Sequence, residues 1–262
     1  MKRAVLAVLA IAIAACAPPR APSLPTGAGA AFPEFASAYA SAVTACADVK
    51  TFTSVLAMSG RAGRTKLRGR LEAGFAAPAS MRLEGIAPFG RPIFVLTAAG
   101  ENGTLVLSRD NRVLRDAPAG SIVEALAGVP VGAAAMRTIV TGCGLTQDEA
   151  PTAGRSYANG WATIEFPTHV AYLQRIAGVW QLAAATRGTL SIFYADFDQH
   201  RPATIRLRVE DAGRVTADIT LRVSQADVNT PLGAQAFDAD VPADAEPLTL
   251  DELRRAGPLG ER

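Results

Sequence analysis

Two histidines and three cysteines are the residues of this 262-residue chain best suited to chemistry, and their spacing builds no active site. His169 and His200 stand outside any H-E-x-x-H ligand spacing, and no G-x-S-x-G nucleophile elbow occurs. Asp196, Asp198 and His200 alternate, so on an extended segment they would share a face able to hold a metal. A polar surface turn before Pro202 is the favoured reading of the same residues, because three ligand types alone make a weak motif. Ser54, Ser59 and Ser108 have no identifiable base or orienting acid. Gly142-Cys143-Gly144 could expose a thiol, but nothing beside it would lower the thiol pKa. Asn102-Gly103-Thr104 fits a glycosylation sequon and reads as a turn. The residues therefore predict no enzyme, no metal site and no cofactor.

The third cysteine carries a different chemistry. Residues 1–3 are a short basic stretch, and residues 4–12 are apolar but too few to span a bilayer. Ile13-Ala14-Ala15 then leads into Cys16, as in a bacterial lipoprotein signal. Residues 1–15 are the expected signal peptide and Cys16 the expected lipidated N-terminus. The alternative is an ordinary signal peptide with a chance cysteine. Ala17, rather than Asp, leans towards a lipid-anchored protein of the outer membrane facing the periplasm. In that oxidising compartment Cys46 and Cys143 are expected to form one bridge, the alternative being two buried free thiols.

Composition narrows the class further. The chain is 49% hydrophobic and 19% charged, with a net charge of +2. No basic stripe with interleaved aromatics appears, so nucleic acid is not an expected partner. Residues 16–33 are rich in Pro, Ala and Gly and read as lipid anchor and tether. Residues 34–256 read as a single domain, and residues 257–262 as a frayed tail.

Those candidate residues need elements to position them. Phe32, Phe35, Tyr39, Val43 and Cys46 recur at helical spacing, one apolar stripe of about four turns. The period then drops to two. Strands are expected over residues 55–61, 67–75, 81–86, 91–98, 104–108 and 112–114, an up-and-down meander. Two short helices follow Pro118, over 121–129 and 132–141, ended by Gly142. Residues 146–155 read as a polar link. Strands resume over 161–166, 170–175, 180–186, 190–194, 204–209 and 215–223, and Phe237 is read into a last short strand. Thr249 and Glu252 have capping-box spacing for a small terminal helix. About eleven antiparallel strands with one apolar face must curl or fold over, and the helical insert would line or lid the interior. Leu83, Phe94, Leu96, Leu105, Leu107, Leu126, Met136 and Ile139 are candidates to wall a cavity or merely to fill a core.

Pro88-Phe89-Gly90 is the odd feature: an aromatic at a turn tip, where polar residues are usual. On residue type alone Phe89 reads as a plug folded back into the sheet's mouth. The sequence Met81-Arg82-Leu83-Glu84-Gly85-Ile86-Ala87-Pro88-Phe89-Gly90 resembles the LolB strand that ends in a Pro-Leu-Gly tip. Residues 126–131, Leu-Ala-Gly-Val-Pro-Val, followed by 136–142, are similar to the LolB segment Leu-Thr-Gly-Met-Pro and its helix ending in Leu-Gly. The resemblance implies an α+β fold of the LolA/LolB type. That fold is an unclosed antiparallel half-barrel with an N-terminal helix and a helical lid over an apolar cavity. It further implies that lipoprotein acyl chains arrive from a periplasmic LolA-like carrier. A monomer would accept them, and an apolar tip at Pro88, Phe89 and Gly90 would help insert them into the inner leaflet of the outer membrane. The lipid anchor, the lidded meander and the resemblance together move Phe89 from plug to tip. Cys46, Cys143 and a longer C-terminal half depart from the family pattern, so another lipid, or a filled core serving an interaction role, stays open.

Overall fold

The computed structural model describes residues 22–86, 92–145, 148–198 and 200–258. Its body is one sheet of 15 strands, made of two meanders joined at their longest members. The first runs through β2 (Thr51–Ala62), β3 (Thr65–Ala76), β4 (Ser80–Gly85), β5 (Phe94–Ala99), β6 (Asn102–Leu107) and β7 (Arg112–Pro118). The second runs through β8 (Ala153–Ser156), β9 (Trp161–Glu165), β10 (Val170–Ile176), β11 (Val179–Arg187), β12 (Leu190–Asp198), β13 (Arg201–Asp211) and β14 (Arg214–Val228). β14 pairs antiparallel with β2, from Ala217 opposite Ala62 to Val228 opposite Phe52, and this seam fuses the two meanders. Two-residue strands finish the edges: β1 (Ala30–Ala31) on β8 and β15 (Glu246–Pro247) parallel to β7.

The sheet curls because its sequence alternates. Leu67, Leu71, Ala73 and Phe75 of β3 are buried while Lys66, Arg68, Arg70 and Glu72 are exposed. β13 and β14 repeat the pattern with Ile205, Leu207, Val209, Ile219 and Leu221 inward. One face is therefore apolar, and burying it requires curvature and a cover. The cover is helical: α1 (Phe35–Ala47), α2 (Ala119–Ala127) and α3 (Ala133–Thr141). α1 packs over β8, β9 and β11, and α2 and α3 over the half containing β3, β4, β6, β7 and β13. α4 (Leu250–Ala256) lies beside α2, started by the reciprocal capping box of Thr249 and Glu252. The described sheet, helices and core are built within residues 30–256, so a chain beginning at residue 22 carries every element described.

Several sequence expectations are corrected. The described residues form fifteen strands rather than about eleven, because the edge pieces β1, β8 and β15 are too short to show a period. The segment read as a polar link contains β8. The segment read as tether already joins the sheet at Ala30, and Phe32 packs at a tilt against Trp180, ring centroids 5.6 Å apart, instead of opening the helix. Phe237 sits in a 3-10 turn, Ala234–Phe237, not in a strand. Its burial, rather than strand pairing, is what holds an aromatic there.

Candidate functional site

α2 and α3 hold an apolar cavity against the curved sheet. β2 and β3 contribute Leu56, Met58 and Leu71 to its wall, and β4 and β5 contribute Leu83, Phe94 and Leu96. The β13–β14 hairpin adds Leu207, Ile219 and Leu221. The lid closes it with Val123, Leu126 and Ala127 of α2, Val129 of the connecting loop and Met136 of α3. Its volume is about 70 Å³. Ligand pockets commonly span about 300–1,000 Å³. In this conformation the space so lined admits a few carbons and not a whole acyl chain.

A second space adjoins the first. A cleft of about 390 Å³ opens between β3, the ends of β4 and β5, and α4. Met58, Leu71 and Phe94 line both spaces, so these three side chains form the partition. Gly85 explains how the ring fits. A Cβ at Gly85 would lie 2.6 Å from Phe94 Cε1, so only glycine lets the ring lie flat across β4. Ile86 and Ile93 line the cleft at the two ends of the segment that carries Phe89. Phe89, Pro88 and Gly90 themselves, like Cys16, lie outside the described residues.

The lid is fastened unevenly. Cys46 of α1 and Cys143, just past α3, are joined in a disulfide with Cα atoms 5.6 Å apart. Tyr39 Oη donates to the Cys143 carbonyl at 3.3 Å, and Tyr194 Oη donates to the Ile139 carbonyl at 3.2 Å. Burial pushes the Tyr39 hydroxyl up to about 12 and the Tyr194 hydroxyl further still, so both remain donors. Arg137 Nη1 donates to the Val49 carbonyl at 3.2 Å. α3 is thus bound to α1 and to the sheet by covalent and polar links. α2 presents apolar residues to the cavity and ends at Gly128, whose left-handed φ of 72° turns the chain where a side chain would press on Ala62 and Ala217.

Five of the eight wall candidates, Leu83, Phe94, Leu96, Leu126 and Met136, meet at the cavity. Leu107 lines the cleft instead. Leu105 and Ile139 are fully buried in the packed core, not on the wall, because strand alternation alone does not tell a wall from a filled layer. Sequence reasoning missed Leu56, Met58, Leu71, Leu207, Ile219 and Leu221 as wall residues. Their alternation was visible, but the β14–β2 seam that brings them together was not.

The residues first considered for chemistry are placed otherwise. Asp196 accepts a hydrogen bond from Thr204 Oγ1 at 2.7 Å, and Asp196 and His200 both have left-handed backbones that break the alternation. Among the described residues no three His, Cys, Asp or Glu side chains converge on a metal site. His169 is 4% exposed and stacks on Phe166 at 4.2 Å. Its Nδ1 lies 3.5 Å from Glu149, whose carboxylate is held low chiefly by hydrogen bonds from Thr168. Burial outweighs that carboxylate and pushes the imidazole pKa down.

No family model matches the chain, and no curated protein matches it. Among solved structures it is similar to a LolA superfamily protein from Nitrosomonas europaea, with a TM-score of 0.55 and 13% identity over 78% of this chain and 97% of that one. A putative outer membrane lipoprotein-sorting protein domain from Vibrio parahaemolyticus gives a TM-score of 0.45 and 10% identity, over 72% and 89% of the two chains. The lipoprotein LppX of Mycobacterium tuberculosis gives 0.34 and 11%, over 79% and 99%. The first of these, with the lidded open sheet, shows that the chain has the fold of the LolA superfamily: mostly β, unclosed, with helices over the concave face.

Proposed function

We infer that this protein is a non-enzymatic acceptor of lipid acyl chains. It would be anchored by Cys16 in the outer membrane and face the periplasm. As a monomer it would take lipoproteins from a LolA-like carrier and pass them into the inner leaflet. One observation carries the reading. An apolar cavity under a helical lid adjoins a cleft, and Met58, Leu71 and Phe94 line both. Such a partition suits a guest that enters end-on. Each methylene moved from water into the cavity contributes about 0.8 kcal/mol. Transfer then needs only a membrane that holds the chain more tightly than the cavity does, with no nucleotide and no covalent step. Phe89 is assigned the role of apolar tip, supported by Ile86 and Ile93, which line the cleft at either end of its segment.

The test uses residues 22–262 and a fluorescent acyl probe. Saturable uptake by a delipidated sample is expected, and Phe89→Glu should impair delivery of a lipoprotein to vesicles more than it impairs probe binding. No saturable uptake would sink the acceptor reading. Equal loss of uptake and delivery would return Phe89 to a plug.

The small volume of the apolar space, about 70 Å³, favours a second reading, an interaction lipoprotein of the same fold with a filled interior. Under it the probe finds no site at any lid position, and a pull-down of envelope proteins rather than a lipid assay finds the ligand.

A further inference from the structure

The convex face of the sheet carries a charge pattern that neither its stability nor the cavity accounts for. On β13 each outward arginine has its own acid. Arg206 holds Asp218 through two hydrogen bonds of 2.7 Å, and Arg208 Nη2 meets Glu210 at 2.7 Å. On β2 and β3 the acids thin out, and the nearest on this face is Glu72, two positions beyond Arg70. Residues 61–70 hold Arg61, Arg64, Lys66, Arg68 and Arg70 and no Asp or Glu. Register puts Arg61 directly opposite Lys66, Arg68 opposite Ser59, and Arg70 opposite Ala57. Arg222 of β14 lies opposite Ala57 from the other side. Arg61, Lys66, Arg68, Arg70 and Arg222 therefore share one solvent-facing surface on three adjacent strands, and all five are exposed. It measures roughly 10 Å across and 14 Å along, from strand spacing and rise.

None of the five has a carboxylate within 4.0 Å among the described residues; Asp218, opposite Arg61, is bound by Arg206 and acts on Arg61 only at longer range. Like charges set directly opposite one another destabilise a sheet. The Arg61–Lys66 pairing is therefore a cost to folding, which an anionic counter-surface would offset. The surface also has a position. Arg68 and Arg70 border the cleft, and Arg109 and Asp110 lie on the same rim. The cationic face thus runs to the mouth through which the cavity communicates.

We propose that this face, Arg61, Lys66, Arg68, Arg70 and Arg222 on β14, β2 and β3, docks the protein onto a bilayer rich in anionic phospholipid, with the cleft turned towards the headgroups. A planar array of separate cations suits a sheet of phosphates better than one phosphate, since no buried polar pocket sits among them. The proposal goes beyond acyl uptake and stands whether or not the cavity takes a guest.

The test is flotation of residues 22–262 with vesicles of phosphatidylcholine alone or with phosphatidylglycerol. Binding is expected only with phosphatidylglycerol, and it should fall steeply as salt rises. Arg61→Gln/Lys66→Gln/Arg222→Gln leaves the cleft rim untouched and should weaken vesicle binding about a hundredfold, at about fivefold per cation lost. Acyl-probe uptake by that variant serves as the separate readout of the cavity. Arg155→Gln/Arg175→Gln/Arg187→Gln removes the same charge from the other meander, on β8, β10 and β11, and should bind as the parent does. Equal binding to neutral vesicles, salt-independent binding, or an equal loss in both variants would overturn the proposal. So would competition by millimolar inorganic phosphate, which would make the face a small-anion site. Capture of an acidic protein by a chain that ignores the vesicles would transfer the face to that partner. A melting temperature for each variant separates loss of the face from loss of the fold, and the salt series on the parent chain decides even if the triple variant unfolds.

Discussion

Phe94→Ala tests the partition most directly. The ring lies over Gly85, lines the cavity on one side and the cleft on the other, and is only partly buried. A fully buried Phe→Ala change costs about 3–5 kcal/mol. With solvent already on the cleft side, the lower end applies, about 2–3 kcal/mol. For a domain of this size that lowers the melting temperature by roughly 5–10 °C, leaving a folded protein at room temperature. The functional effect has the opposite sign. Without the ring, the roughly 70 Å³ cavity and the cleft become continuous. An acyl chain that gains three more buried methylenes gains about 2.4 kcal/mol, or roughly fiftyfold in affinity. Equilibrium titration with the fluorescent acyl probe, alongside a circular-dichroism melt, reads both numbers. Gly85→Ala is the companion change: its Cβ, 2.6 Å from Cε1, forces the ring out of its seat and should alter uptake without removing any apolar surface. A folded Phe94→Ala protein with unchanged probe affinity would refute the partition, because the ring would then separate nothing.

Two other perturbations test the scaffold. Cys46→Ala/Cys143→Ala opens a loop with a separation of 97 residues. Chain entropy puts the loss near 4.7 kcal/mol for a loop of about that length, so a denaturant midpoint that does not move would contradict the disulfide's part in holding the lid. His169 gives a pH dependence. Its folded pKa lies below the ordinary 6.5 because burial disfavours the cation, so the unfolded chain takes up the proton first as pH falls. The stability it contributes is complete above pH 6.5 and declines below that, down to the folded pKa. His169→Phe should flatten the urea midpoint between pH 6.5 and 5, and an unchanged slope there would assign the dependence to other groups.

How much of this was legible in the sequence follows from what each signal depends on. Alternation is local, so Leu67, Leu71 and Phe75 and the β13–β14 hairpin could be read directly from the chain. Capping is local too, and Thr249 with Glu252 starts α4 as their spacing requires. The cavity wall is not local. Leu96 and Leu105 face each other in register and share an inward face, yet only Leu96 reaches the cavity, because the lid decides which inward side chains meet open space. The cationic face was hidden for the same reason. Arg222 stands more than 150 positions from Arg70, and only the β14–β2 seam makes them neighbours. Composition pointed away from it as well, since a net charge of +2 averages over the paired arginines of β13.

The two-residue strands at the edges bear on solubility. A sheet that does not close leaves two rows of unpaired N–H and C=O groups, each a template for another copy. Here β1 covers β8 with residues from the N-terminal segment, and β15 covers β7 with Pro247, which has no N–H to offer a further strand. The chain thus uses its own ends as stoppers against edge-to-edge polymerisation. Trimming as far as Phe35 would uncork one edge, and the first symptom should be filament or dimer formation at high concentration rather than any loss at the cavity.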